Sequence, residues 1–324
     1  MNCETCGCMF DVSAHEAEMY RRFGFPPENI CFECSAKHKI AFRNGRNMYR
    51  RKCDATGEDI LSIYSPDKPF QVYKSGAWYS DSWDGLDYGT EYDFSRSFFD
   101  QFAALKLRVP RLALTNMQAE NSEYCNMTYG NKNCYLVFGG DFNEDTMFGT
   151  LCMHNRSCLD CDFSNYNELC CEVSDCIRCY GCWFAFDCAN CTDCALISDC
   201  TACQDCILCC NLVQRRWCVR NKQLSKEEYA AEKAKLLDGS YTSQRRCTDE
   251  LRELRQRRIV KHSHLVSCEN VSGGYIKNSR NCFNAYDVSD SEDVVDAVFA
   301  IEAKDCFRCA LIGHGSEQCF NMMS

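Results

Sequence analysis

A comb of regularly spaced cysteines constrains this chain more than any other feature. Stepping by six from Cys134 to Cys218 meets cysteine at eleven of fifteen positions, and Gly140, Thr146 and Ser164 among the exceptions are small. A second set, Cys161, Cys179, Cys191, Cys203 and Cys209, stands three residues out of phase, and within the block only Cys171 and Cys210 miss both. A step of six does not hold one face of a helix with 3.6 residues per turn, so the comb fits a helical array poorly. A short fixed period is the mark of a solenoid, whose coils bury their faces only by stacking on neighbours. Six suits a β-solenoid of 12 or 18 residues per coil. The C-terminal block favours about 12, because Cys268, Cys282, Val294, Cys306 and Cys319 are spaced 14, 12, 12 and 13.

Stacked coils place equivalent cysteines in inward ladders. Three readings of the ladders stay open. Buried structural thiols lead, since cysteine is small and readily buried. Metal sites built on pairs such as Cys176/Cys179, Cys188/Cys191, Cys203/Cys206 and Cys206/Cys209 come second. Disulfides between coils come last, because a reducing compartment opposes them. The expected compartment is the cytoplasm: MNCETCGCMF has neither the basic nor the apolar stretch of a secretory signal, and no apolar run is long enough for a membrane span.

Outside the comb, Cys3-Glu-Thr-Cys6 and Cys31-Phe-Glu-Cys34 are two knuckles separated by 24 residues. Four thiolates from two knuckles suit tetrahedral zinc, and a closed four-cysteine site leaves no open position for chemistry. Cys8 is a spare thiol. Iron of the rubredoxin type would use the same four ligands, so spacing alone does not choose the metal.

The charge is uneven. The formal net charge is −10, yet residues 35–52 carry seven Lys or Arg and no acid, while residues 120–212 carry fourteen acids against three bases. Lys37, Lys39, Arg43, Arg46, Arg50, Arg51 and Lys52 are candidate phosphate contacts on a helix beside the metal module. The same segment could equally dock on the protein's own acidic body. That body would repel nucleic acid.

Residues 61–118 read as a linker of short strands and turns ending in an amphipathic helix, FSRSFFDQFAALKLRVP, with Ser95 as N-cap and Val109-Pro110 as its stop. Phe98, Phe102 and Leu105 are placed to cover an open end of the solenoid. Trp78, Tyr79 and Trp83 among Asp81, Asp84 and Asp87 read as surface packing with turn-forming aspartates. An insertion at about 225–260 interrupts the repeats. Ser225 and Glu228 form a capping box opening one helix, and an arginine-rich helix follows at about 243–258. Docking of this hairpin on the acidic repeats is favoured over a nucleic-acid arm. The fold expected is therefore mainly β: a four-cysteine zinc-ribbon module with its basic segment at 1–60, the linker at 61–118, and a cysteine-rich β-solenoid over 119–324 with a helical-hairpin insertion.

The CxxC pairs, RKCDATGEDILSIYSPDKPFQVY, WYSDSWD, DYGTEYDFSRSFFDQF, the NSEYC and NKNCY repeats, and NKQLSKEEY together resemble a family of cysteine-rich zinc-ribbon proteins. Its members are encoded by environmental bacteria, notably the candidate phyla radiation, and by their phages. The likeness runs over essentially the whole chain and implies the architecture and the zinc site, but no activity. Thr146 and Val294 stand where the family pattern has a repeat cysteine, which counts against a metal in every ladder.

No phosphate-binding loop, dinucleotide fingerprint, HExxH or GxSxG motif is present, and the six histidines have no catalytic spacing. The leading expectation is a non-enzymatic zinc-binding scaffold whose solenoid surface is a binding platform. A nucleic-acid-associated factor using residues 35–52 is the second, and a thiol-rich redox or metal-handling protein the third.

Overall fold

The computed structural model describes residues 1–42, 44–295, 297–301 and 321. The chain divides into two compact units, residues 1–44 with 260–324 and residues 45–259. Strands are many and helices few, and a four-cysteine cluster stands at the N-terminus. No described helix is long and apolar enough to cross a membrane. Arg43 and the expected repeat cysteines Cys306 and Cys319 lie outside the described residues.

In the first unit, helix α1 (Ala14–Phe23) opens at a capping box of Ser13 and Glu16 and closes on Gly24 at φ 75°. Helix α2 (Phe32–Ile40) starts at Cys31. Strands 265–266, 273–277, 285–289 and 298–301 form a parallel sheet in chain order, with Gly273 opposite Ala285 and Tyr286 opposite Val298. Ile276, Cys282, Ala285, Val288, Val294 and Ala297 fill its interior. Met19 and Tyr20 of α1 pack with Val295, and Phe32 of α2 stacks on Tyr286 with ring centroids 6.5 Å apart.

The second unit is built around a longer stack. Its main sheet has nine strands in strict sequential order. Eight of them are parallel, from Tyr135–Phe138 to Arg216–Val219, and each pairs with the chain twelve residues on, as Tyr135 with Met147 and Trp183 with Ala195. Bridges at the same offset link Glu120, Lys132, Glu144 and Arg156 on one side, and Met153, Asn165 and Ile177 on another. The repeat is therefore twelve residues, not eighteen.

The inward period is three, and the six-residue comb picks out every second inward position. Inward residues recur at every third position, for example Cys152, Asn155, Cys158, Cys161 and Ser164, all at most 3% exposed. Tyr124 apart, every third residue from Gln118 to Arg220 has positive φ, and from Asn121 to Asn211 each directly precedes a residue that is buried or partly buried. An L-residue in this left-handed region is strained, least so for Asn and Asp. The chain answers with Gly130, Gly139 and Gly181, with many Asn and Asp, and with no β-branched residue at any of these positions.

This geometry explains the cysteines. Lateral pairing uses the amides of the other two residues of each triplet, so the inward residue's own N–H points into the core and needs an acceptor there. The side chain one repeat earlier supplies it. Asn131 Oδ1 accepts from the amide of Asn143 (2.8 Å), Asn143 from Asn155 (3.0 Å), Asn155 from Asn167 (2.9 Å) and Asn167 from Cys179 (2.8 Å). Ser122 Oγ accepts from Cys134 (2.9 Å) and Ser164 Oγ from Cys176 (3.2 Å). Cys209 Sγ accepts in the same way from the Asn221 amide (3.4 Å), and the amides of Cys170, Cys188 and Cys194 face the sulfurs of Cys158, Cys176 and Cys182 and favour their thiolate forms. Each thiol then donates to carbonyls two residues back and nine residues on, as Cys176 does to Ser174 and Ala185, both at 3.3 Å. Ser164 donates in the same pattern, to Asp162 (2.8 Å) and Val173 (3.4 Å). Cysteine is here a compact core residue that both donates and accepts.

The insertion forms two helices, and the second begins at Tyr241, two residues before the expected start. Before it, strands β1 (Tyr49–Lys52) and β2 (Asp59–Ser62) pair antiparallel, β3 (Val72–Tyr73) follows, and then helices α3 (Ser75–Trp78) and α4 (Phe98–Arg108). Helix α4 has Ser97, not Ser95, at its N-cap; Ser95 instead hydrogen-bonds Asp93 (2.6 Å). Its Phe98 and Phe102 are exposed and it buries no residue. Helices α5 (Lys226–Leu236) and α6 (Tyr241–Arg257) lie on the sheet through Tyr229, Leu236, Cys247 and Leu251, which cover Leu196, Ile207, Leu208 and Val219. Arg258 clamps the buried Asp199 at 2.7 Å.

Candidate metal centre

The four knuckle cysteines come together. Their sulfurs all lie within 4.8 Å of one another, with Cys6 and Cys31 at 3.8 Å. The first knuckle is a tight turn in which the Cys3 amide donates to Cys8 O and the Gly7 amide to Cys3 O, both at 2.9 Å, with Gly7 at φ 73°. The second ligand pair rides on α2: Cys31 is its N-cap and Cys34 its third residue. The Cys31 amide donates to Cys3 Sγ at 3.4 Å, tying helix to knuckle. Cys8 is exposed and contributes only its carbonyl.

Electrostatics already favour a thiolate. The amides of Cys31 and Cys6 bring the Cys3 thiol down to about 6, and burial pushes Cys34 up to about 12. Four sulfurs that close together cannot all ionise without a cation among them. A tetrahedron with bonds of about 2.3 Å has sulfurs about 3.8 Å apart, and the Cys6–Cys31 spacing matches it. The side chains present therefore fit a metal ion. The local apolar support is small: only Phe10 and Ile30 pack against Cys3, Cys31 and Cys34.

Among the described residues, this quartet is the group of three or more ligand side chains so clustered. The repeat pairs, Cys176/Cys179 and Cys188/Cys191 included, belong to adjoining sides of a repeat, and all the described cysteines are free thiols. Burial raises Cys125 to about 11 and Cys152 to about 12, so these thiols are neutral near pH 7. The asparagine ladder 131–167 escaped the sequence reading. Its signal was there, as Asn at four positions twelve residues apart.

The basic segment is not one helix. Lys37 and Lys39 are on α2, Arg46 is in a loop, and Arg50, Arg51 and Lys52 are on β1. Helix α2 ends at Ile40 because the following residues turn instead of continuing the i−4 ladder. Arg46 bonds Thr150 (2.8 Å), Arg51 pairs with Asp54 (3.0 Å), and Lys52 pairs with Asp59 (2.9 Å). No family model matches this chain, and no curated protein matches it with significance.

Proposed function

We propose that this protein is a non-enzymatic, zinc-stabilised scaffold whose twelve-residue repeats form a β-solenoid that binds a helical protein partner. One observation carries the reading. Down one outer column of the sheet run Tyr135, Met147, Leu159, Cys171, Trp183, Ala195, Ile207 and Val219. Helices α5 and α6 bury the last three, to between 0% and 5% exposure. The same apolar column then continues uncovered: Tyr135, Met147, Leu159 and Trp183 are 38–51% exposed. A cavity of about 810 Å³, lined by Leu159, Leu169, Trp183, Tyr229 and Leu236, opens at the boundary. An apolar strip of this length on a folded surface marks an interaction site, and its own covered half indicates an amphipathic helix as the fitting occupant.

Zinc is the metal that four thiolates in a closed tetrahedron favour, and the role it would fill is structural. The nucleic-acid reading draws less support, because three of the basic residues are engaged within the chain. The redox reading draws less as well, since the repeat thiols are buried and hydrogen-bonded.

The test is site-specific photo-crosslinking in cells, with benzoylphenylalanine in place of Trp183 or, on another side of the stack, Val213. A partner captured at 183, not at 213, and lost on Met147→Asp supports the platform. Equal capture at both positions, or none at 183, overturns it.

A further inference from the structure

We infer that residues 49–78 are a second copy of the metal module, with its backbone cradle intact and three of its four ligands replaced. The two segments share no CxxC pattern, so the correspondence lies in the backbone. In the first module Cys3 N–H donates to Cys8 O (2.9 Å) and Gly7 N–H to Cys3 O (2.9 Å). In the second, Cys53 N–H donates to Glu58 O (2.8 Å) and Gly57 N–H to Cys53 O (2.8 Å). Gly7 has φ 73° and Gly57 φ 74°. Both knuckles lead to the first turn of a helix. Cys31 caps α2 with φ,ψ of −67°, 161°, and Lys74 caps α3 with −63°, 157°. The amide of Cys31 donates to Cys3 Sγ at 3.4 Å, and that of Lys74 to Cys53 Sγ at 3.3 Å. Cys34 and Ala77 are each the third residue of their helix, and both are buried. Cys6 follows Cys3 by three residues, as Thr56 follows Cys53. Position by position, Cys3, Cys6, Cys31 and Cys34 correspond to Cys53, Thr56, Lys74 and Ala77.

What replaces the metal is also visible. Around Cys53, Tyr73 and Ala77 pack Ile60, Trp78 and Trp83. The Trp83 ring lies 5.8 Å from Tyr73, edge-on, and 4.7 Å from Trp78. The first module has only Phe10 and Ile30 in the equivalent role. An aromatic core does in the second copy what an ion does in the first, and small modules without either rarely fold.

The inference rests on reading the quartet as a metal site, and the following experiment separates the two. The triple variant Thr56→Cys/Lys74→Cys/Ala77→Cys is made in the full chain, purified anaerobically from zinc-supplemented cells, and its zinc measured by mass spectrometry. The expected result is one more zinc per chain than wild type, lost again when Cys53→Ser is added. Reconstitution with Co(II) should give a second equivalent of the thiolate-to-cobalt charge-transfer band. No added metal in a variant that keeps the wild-type circular dichroism overturns the inference. Should the triple variant unfold, the double variant Thr56→Cys/Ala77→Cys offers three thiolates and should bind one extra Co(II); none bound overturns it equally. Wild type without metal, beside a triple variant holding one, would refute the quartet and leave the second copy standing.

Discussion

Replacing Cys176 separates its two jobs, filling space and accepting an amide. Its side chain is fully buried, donates to Ser174 O and Ala185 O, and takes the N–H of Cys188. Cys176→Ala leaves that amide without its acceptor, a cost of about 1–3 kcal/mol, and opens a void the size of one sulfur, roughly 0.5–1 kcal/mol. Cys176→Val removes the acceptor but leaves no void. Cys176→Ser keeps the acceptor, as Ser164 does one repeat earlier, where its Oγ takes the Cys176 amide at 3.2 Å. The expected order of stability is therefore wild type, serine, then valine and alanine, with alanine about 1.5–4 kcal/mol down and serine about 1 kcal/mol or less. For a unit the size of residues 45–259 each kcal/mol corresponds to about 2–4 °C in Tm. Thermal melts followed by far-UV circular dichroism, with denaturant midpoints at unchanged slope, read the difference. An alanine variant as stable as the serine variant would refute the reasoning and reduce the ladder sulfurs to filler.

Cys31→Ser/Cys34→Ser should remove one metal ion per chain and with it the order of the N-terminal module, measured by metal analysis and by amide exchange over residues 1–40; unchanged metal content would rule out the quartet. Stability should fall as pH rises above about 9. The folded-state pKa values of Cys125 and Cys282 (about 11) and Cys152 (about 12) lie above the ordinary thiol value of 9.0, so between 9 and 12 the unfolded chain binds fewer protons than the folded one. A melting temperature flat from pH 8 to 11 would contradict this. Arg258→Ala strands the Asp199 carboxylate, 3% exposed, and should cost about 3 kcal/mol, whereas the double variant with Asp199→Asn should recover part of that loss in the same denaturation assay. Native alkylation should label few repeat thiols and denatured protein nearly all, counted by intact mass.

Much of this architecture could be read from the residues, and the failures have physical causes. The quartet was legible because ligands must be cysteine and their spacing is short. The twelve-residue repeat showed through the cysteines, but its three-residue inner period was masked because Asn131, Asn143, Val137 and Val173 occupy inward positions too. A chemical search for one residue type finds only the positions where that type was chosen. A conformational search would have found the rest, since the absence of Val, Ile and Thr from every third position is a backbone signal independent of cysteine. The basic run fits helical periodicity only loosely, with Gly45 in its middle, and the antiparallel pairing of Tyr49–Lys52 with Asp59–Ser62 puts three of its seven basic residues on a strand. The copy at 49–78 was hidden for the opposite reason to the quartet: once Thr56, Lys74 and Ala77 replace ligands, only the turn glycine and the backbone retain the pattern.

The inward backbone amides that bond side chains also do so in one direction. Each of them leans on a side chain that precedes it by one repeat, and the series passes from Ser122 to Cys134 and from Asn131 through to Cys179 without reversing. A nascent chain presents its N-terminal repeats first. As each new turn of chain leaves the ribosome, the oxygens and sulfurs that will receive its core-facing amides are already in place beneath it. The order of synthesis and the order of templating coincide, so a circular permutant beginning at about residue 165 would make the repeat that holds Cys176 before its acceptor, Ser164, exists.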